Sequence, residues 1–423
     1  MPGPLEGLRV LELAHERTAL AGKLLADAGA DVRLLEPRDG CAQRRHAPFV
    51  NDRPDREGSL SFWHYNTSKR GITLDLDTPR GCELARELIA RVDVVLEGED
   101  PGRLAALGID APFELEQHRE LVWASITPFG RNAPRAAEPA TDLTLLAGGG
   151  PAWSCGYDDH ALPPIRGGGN QAYHMGAHYA VMALLVALLE RERSGRGQLV
   201  DVNVHAACNV TTEFATYEWL VGRNTVQRQT GRHATTMRTS PSQVRCADGR
   251  HANTGVPPRT PAEFGRLRQW LLDLGLDAEY PEIFLLEMGM AREQIDLSRI
   301  GQDEEITAIF AAGRDAIMLI ASRLPAADFF SQAQERGIPV GVIYAPEEVL
   351  DDPHFRARGF AVEVDHPELG RAVTYPGAPY RFLHTPWRIS RRAPRLGEHN
   401  GEIYAEIGIG VDALAALRAQ DVL

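Results

Sequence analysis

The chain has 423 residues, 43% of them hydrophobic, enough for a large core and, since single cores stop growing near roughly 250–300 residues, for two domains. Its net charge of −13, from 58 acidic and 45 basic residues interspersed along the sequence, excludes broad attraction to nucleic acid or an anionic membrane and favours a small molecule or another protein as partner. Five scattered cysteines (Cys41, Cys82, Cys155, Cys208, Cys246) form no CxxC pair, which argues against a disulfide framework or zinc knuckle and for a reducing, cytoplasmic setting.

Met1 to Leu13 alternates apolar and charged residues and lacks the pattern of a secretory signal. "LRVLEL" reads as a buried strand, "ALAGKLLADAG" as a helix closed by glycine, and "DVRLLEP" as the next strand, a βαβ unit with a right-handed parallel crossover. "GCELARELIARV" followed by "DVVLE" repeats the pattern, and "LVWASITPFG" adds another strand, so a doubly wound α/β domain is expected. The apolar run Tyr179–Leu189 is too short for a bilayer, which takes about 20 residues, and reads as a buried helix ending at Gly195. "QLVDVNV" alternates as a half-exposed strand does, whereas residues 222–262 are rich in turn formers and mark a linker and a second domain. "AEFGRLRQWLLDLG" and "EEITAIFAAGRDAIMLIASRL" have helical periodicity, and the tail from Tyr375 reads as proline-punctuated coil with a short helix.

Few residues declare chemistry on their own. The glycine triplets 148–150 and 167–169 could cradle a phosphate at a helix N-terminus, but neither fits GxGxxG after a strand or the P-loop, so plain turns are the simpler reading. The first βα turn, "LAHERTALAG", lacks the glycines of a dinucleotide site. His174 and His178 are four apart and could share a metal; without an intervening glutamate or a third ligand they read as structural, and no metal is expected. Ser154 is not in a GxSxG elbow. The arginines of "QRRH", "SKRG" and "RISRRAPR" suit a carboxylate or phosphate ligand, or solvated faces and ion pairs.

Seven segments in order, "LEGLRVLEL", "LLADAGADVRLLEP", "SKRGITLDLDTPRG", "LVWASITPFG", "ALLERERSGRGQLVDV", "DPHFRARGFAVEVDHPELG" and "RAPRLGEHN", resemble the family III CoA-transferases along nearly the whole chain. The resemblance implies a large Rossmann-like domain (1–210, linker 211–230), an inserted smaller α+β domain (231–345) and a return to the large domain (346–423), with two chains interlocked as rings. It also implies CoA transfer between carboxylic acids through an aspartyl intermediate, a carboxylate acting as nucleophile. Counting back from "MALLVALLERERSGRGQ" puts that aspartate's position on Tyr173, whose phenol forms no acyl anhydride, so this chain is expected to carry no catalytic residue. The histidine that racemase relatives place before a second aspartate is Thr141 here, before Asp142.

The resemblance also marks departures at the family's CoA contacts. The first βα loop is one residue short and offers His15, Glu16, Arg17 and Thr18; other contact positions hold Asp77, Gly98, Glu99, Ala106 and Pro139, and only Arg38 is kept. Acids where cations were needed oppose a polyanionic nucleotide. The expectation is a non-catalytic subunit of a heteromeric CoA-transferase of the succinyl-CoA:benzylsuccinate type. A homologous partner would supply the aspartate and bind the CoA thioester, itself a substrate and not a tightly held cofactor. Asn253, Thr254 and Gly255 of "NTGVPP" are candidates for a substrate-facing loop. The alternatives are a self-sufficient acyl-CoA enzyme with Tyr173, His174 or His178 as acid–base groups, and a non-enzymatic scaffold.

Overall fold

The computed structural model describes residues 2–236, 239, 241–254, 258–296 and 299–423. They form two compact units, one of residues up to Trp153, Ile165–Tyr217 and Asp352–Leu423, the other of Ser154–Pro164 and Glu218–Asp351. The first begins with β1 (Arg9–Leu13), α1 (Glu16–Asp27), β2 (Asp31–Glu36), α2 (Leu60–Tyr65), β3 (Arg70–Thr73), α3 (Pro79–Ile89), β4 (Val94–Glu97), α4 (Arg103–Ala106), α5 (Ala111–Gln117) and β5 (Val122–Thr127). It continues with α6 (Asp142–Gly149), α7 (Gln171–Ser194), β6 (Leu199–Asn203), α8 (Val204–Val210) and α9 (Glu213–Tyr217).

The six strands make one parallel sheet in the order β3-β2-β1-β4-β5-β6. Successive residues of a strand point to opposite faces, so "RVLEL" feeds two cores. Val10 packs with Leu25, Ala177 and Leu184 from α1 and α7, while Leu11 and Leu13 pack with Leu84 and Leu88 of α3. Both faces are thereby covered, as a parallel sheet requires. Helix α1 stops at Gly29, whose φ of +105° only glycine adopts easily, and α3 starts at Thr78, whose hydroxyl accepts from Gly81 N at 3.0 Å.

The second unit contains β7 (Gln227–Gln229) paired with β8 (Arg232–Thr235), then β9 (Gln243–Arg245) and β10 (His251–Thr254). Helices α10 (Pro261–Asp273), α11 (Ile283–Met290), α12 (Glu304–Arg323) and α13 (Ala326–Glu335) follow, then β11 (Val340–Val342) and α14 (Pro346–Val349). Strands β9, β10 and β11 form an antiparallel sheet beside a core of Phe264, Trp270, Ile309 and Phe329. Residues 154–164, expected in the large domain, belong here because Asp158 pairs with Arg232 at 2.8 Å and the Arg228 guanidinium donates to His160 O and Leu162 O.

The chain returns to the first unit at Asp352, with α15 (Pro353–Arg358), a hairpin of β12 (Ala361–His366) and β13 (Arg371–Pro376), then α16 (Asn400–Glu406) and α17 (Val411–Ala419). This segment seals the outer edge of β3, which would otherwise present unpaired backbone groups. Gly71 N donates to His399 Nδ1 (3.1 Å) and Thr73 N to Asn400 Oδ1 (2.9 Å), while Gly71 O accepts from His399 N and Thr73 O from the Tyr404 hydroxyl. Buried ion pairs add to the packing of the first unit, Glu12–Lys69 and Lys23–Asp27 each at 2.7 Å and Glu36–Arg44 at 2.7 Å.

Helix α7 corrects one expectation. Its Ala177, Ala180, Leu184 and Leu188 are buried, but Tyr179, Met182, Val186 and Leu189 are exposed, so the run predicted to be a buried helix has only one covered face. By length and composition alone α7 is apolar enough to cross a membrane, yet its inner face is part of the sheet's core.

Candidate functional site: the crevice at the strand-order reversal

Strand order reverses between β1 and β4, where crossovers leave on opposite faces and doubly wound folds form a ligand crevice beyond the strands' carboxyl ends. Here that place is bridged. Arg17, in the first turn of α1 and 7% exposed, donates from Nη1 to Gly98 O (2.6 Å) and from both terminal nitrogens to Asp100 Oδ1 (3.3 and 3.2 Å), tying the loop after β1 to the loop after β4. A Cβ at Gly98 would lie 3.2 Å from the His15 Cβ and 3.3 Å from the Arg17 Cβ, so glycine permits the close approach. His15 caps α1, its Nδ1 accepting from Arg17 N, and burial together with the Arg17 charge lowers its pKa to about 4. Thr18 donates its hydroxyl to Glu12 and to Leu13 O.

Tyr173 is the third residue of α7 and lies in its first turn, 8% exposed within the core. Burial pushes its phenol above the ordinary tyrosine pKa, with the Arg17 guanidinium beside it pulling the other way. The neighbouring His174 turns elsewhere, its Nε2 2.7 Å from the Tyr65 hydroxyl, and burial followed by the charge of His178 lowers its pKa. His178 is bonded through Nδ1 to His174 O at 2.7 Å. The two histidines therefore do not converge, and no cluster able to hold a metal occurs among the described residues.

The glycine turn before α7 is organised by a side chain. Asp142, at the start of α6, accepts from Ala172 N at 2.7 Å and so satisfies an open amide of α7 that the nominal cap, Asn170, leaves alone. Its other oxygen accepts from Arg166 Nη1 at 3.2 Å, and that nitrogen also reaches Gly167 O and Gly169 O. Thr141 is the N-cap of α6, its hydroxyl accepting from Thr144 N.

The cations around the crevice have acidic partners already. Arg38, the retained arginine, pairs with Asp421 at 2.5 Å; Arg103 pairs with Asp77 and with Glu99, each at 3.3 Å; Arg131 pairs with Glu97 at 2.8 Å. Burial pushes the Glu97 and Glu99 carboxyls up. Ala106 ends the short α4 and Pro139 is an exposed loop residue. In the second unit, Asn253 and Thr254 belong to β10 and not to a loop, Asn253 paired with Gly341 and Gln243 and Thr254 bonded to Ser242 O; Gly255 lies outside the described residues. Sequence reading missed the Arg17 bridge, since Gly98 is 81 positions away and no local pattern joins them.

Comparison with known proteins agrees with this architecture. The family model for CoA-transferase family III matches residues 5–400. The chain is 32% identical to the succinyl-CoA:(R)-benzylsuccinate CoA-transferase subunit BbsE of Thauera aromatica, over 95% of this chain and 93% of that protein. It is 30% identical to the formyl-CoA:oxalate CoA-transferase of Streptomyces coelicolor, over 99% of each. The crystal structure of a CaiB/BaiF family protein from Brucella suis superposes with a TM-score of 0.77 at 25% identity, covering 96% of this chain and all of that one. The order of the sheet, the inserted unit and the match along the chain agree, and the protein belongs to CoA-transferase family III.

Proposed function

We propose that this chain is a non-catalytic subunit of a heteromeric CoA-transferase that moves CoA from an acyl-CoA donor such as succinyl-CoA to a carboxylic acid. The aspartate nucleophile comes from a homologous partner chain, interlocked with this one. The observation that carries the reading is Tyr173. The position matching the family nucleophile holds a buried phenol against Arg17, which itself closes the crevice between β1 and β4. A phenol with a raised pKa is neutral near pH 7 and is a poor acyl acceptor. CoA binding falls to the partner on the same grounds, because Arg38, Arg103 and Arg131 are each neutralised by a carboxylate.

Two features support a partner chain. The relative from Thauera aromatica is described as a subunit. The exposed stripe Tyr179, Met182, Val186 of α7 borders, with Leu199 and Val200 of β6, an apolar groove of about 510 Å3 of the kind association covers. The test is to purify the chain alone and with a homologue that carries aspartate at the position of Tyr173. The lone chain shows no CoA transfer from succinyl-CoA, the pair does, and Tyr173→Phe leaves the pair's kcat within twofold. Robust transfer by the lone chain would overturn the reading, and failure of the two chains to associate would leave the scaffold role instead.

The Tyr65–His174 hydrogen bond of 2.7 Å favours one second reading, a self-sufficient acyl-CoA enzyme using Tyr173 or His174 as acid or base. In that case the lone chain turns over an acyl-CoA, and Tyr173→Phe or His174→Ala abolishes the reaction.

A further inference from the structure

The segment that returns to the large unit carries a polar cleft remote in role from the CoA crevice. It encloses about 480 Å3, and its walls include Glu363, Asp365, Ile389, Ser390, Arg391 and His399. His399 is 7% exposed, and its place is set by the edge strand it seals. Because the backbone N–H of Gly71 can only donate, His399 Nδ1 is the acceptor, and the ring's one proton is on Nε2. Nε2 lies 3.2 Å from Arg391 Nη1, and a guanidinium has no acceptor to offer. Two donors thus face each other at the cleft wall. Protonating the ring would not help, since a doubly protonated imidazole donates at both nitrogens and would lose the bond from Gly71. Burial keeps the His399 pKa down against the opposing Glu398 charge, with the Arg391 charge adding to the lowering, consistent with a neutral ring.

An oxygen acceptor shared by Nε2–H and Nη1–H resolves the conflict, and a carboxylate supplies two such oxygens. Arg391 is the cation open to it, because the adjacent Arg392 is bonded to Glu398 and Glu368. The other lining residues set a second condition. Glu363 accepts from the Thr374 hydroxyl at 2.6 Å, and the exposed Asp365 side chain has no hydrogen-bond or ion-pair partner among the described residues. A bare anion in this cleft meets the carboxylates of Glu363 and Asp365 as well as Glu398, which Arg392 already holds, whereas a ligand carrying an ammonium group turns the first two into partners.

We propose that the cleft binds a small α-amino acid as its zwitterion, the carboxylate on Arg391 and His399 and the ammonium toward Asp365. The site is separate from Tyr173 and independent of whether a partner supplies the nucleophile. The experiment is saturation-transfer NMR on the full chain with the twenty amino acids, acetate and methylamine as probes, repeated on Arg391→Ala and Asp365→Asn. Both substituted side chains are exposed and neither holds the edge strand. At least one amino acid binds, at least tenfold more tightly than acetate or methylamine, and each variant weakens it tenfold or more while the thermal transition stays in place. No binding by any amino acid would mean that water supplies the acceptor and would overturn the proposal. Acetate binding as tightly, with Asp365→Asn silent, would overturn it as well, leaving a simple carboxylate site.

Discussion

Lys69→Met isolates the energetic weight of the buried pair beneath α1. Lys69 and Glu12 are both 0% exposed and 2.7 Å apart, and the ammonium also donates to Ala19 O (3.0 Å) and Asn66 Oδ1 (2.9 Å). The space is tight, since a Cβ on Gly22 would lie 1.8 Å from Glu12 Oε2, so water has little room to replace the lost charge. Methionine keeps the apolar stem and deletes the ammonium, leaving a lone carboxylate whose removal from water costs about 3–5 kcal/mol, a large part of a typical stability of about 5–15 kcal/mol. The deficit depends on pH with a definite sign. Burial is the main influence on Glu12 and raises its pKa, opposed chiefly by Lys69 and then by the Thr18 hydroxyl, so in the variant, with only Thr18 left to oppose it, the rise is larger. An acid whose folded pKa is raised carries no penalty below its unfolded pKa of about 4.3, and the penalty grows as pH rises toward the folded value. Urea unfolding followed by circular dichroism should show the full deficit at pH 8 and a smaller one at pH 5. Glu12→Gln combined with Lys69→Met should recover most of it, because a neutral pair has no unpaired charge. A loss under about 1 kcal/mol at pH 8, or a deficit that grows toward acid, would refute the reasoning.

Two further outcomes follow from buried groups. His15 and His64 both have pKa values lowered to about 4, chiefly by burial, against an ordinary value of 6.5. The unfolded chain binds their protons first, so stability falls as pH drops from 6.5 toward 4, with up to about 2.7 kcal/mol per pH unit from the two together; a urea series across that window measures the slope, and His15→Gln with His64→Gln should flatten it. Asn400→Ala removes the bond from Thr73 N (2.9 Å) and the bond to Thr73 Oγ1 (2.8 Å), leaving a buried amide unpaired at a cost of about 1–3 kcal/mol. Hydrogen exchange at Thr73 should speed up before exchange in β1 does; unchanged protection at Thr73 would show that the side chain does not seal the edge.

The strands nearest the sheet's middle were legible because each is a short stretch dominated by aliphatic residues, as in "LRVLEL" and "DVVLE". Strand β3 was visible only through the family resemblance, as part of "ITLDL", for it has four residues and its free side pairs with groups more than 320 positions away. The β12–β13 hairpin carried a usable signal, Val362 and Val364 alternating opposite Val373 and Tyr375, which reading the segment only as a family likeness passed over. Tyr173 was placed by resemblance, but its neighbour Arg17 had no pattern to announce it, since a bridge between two loops is a property of the closed sheet. The apolar run of α7 misled because hydropathy reports how much surface avoids water and not which chain covers it.

The sealing of β3 by His399, Asn400 and Tyr404 has a meaning for how the protein is made. At a synthesis rate of roughly 5–20 residues per second, the 331 positions between Thr73 and Tyr404 take roughly 20–60 s to emerge. Throughout that interval the sheet's outer strand has nothing to occupy its free amides and carbonyls, and such edges recruit other chains. The nascent protein is therefore most vulnerable while most of it already exists. A product that terminates shortly before His399 would possess every strand of the large sheet and still be expected to aggregate, because what it lacks is the cover for the first edge it built.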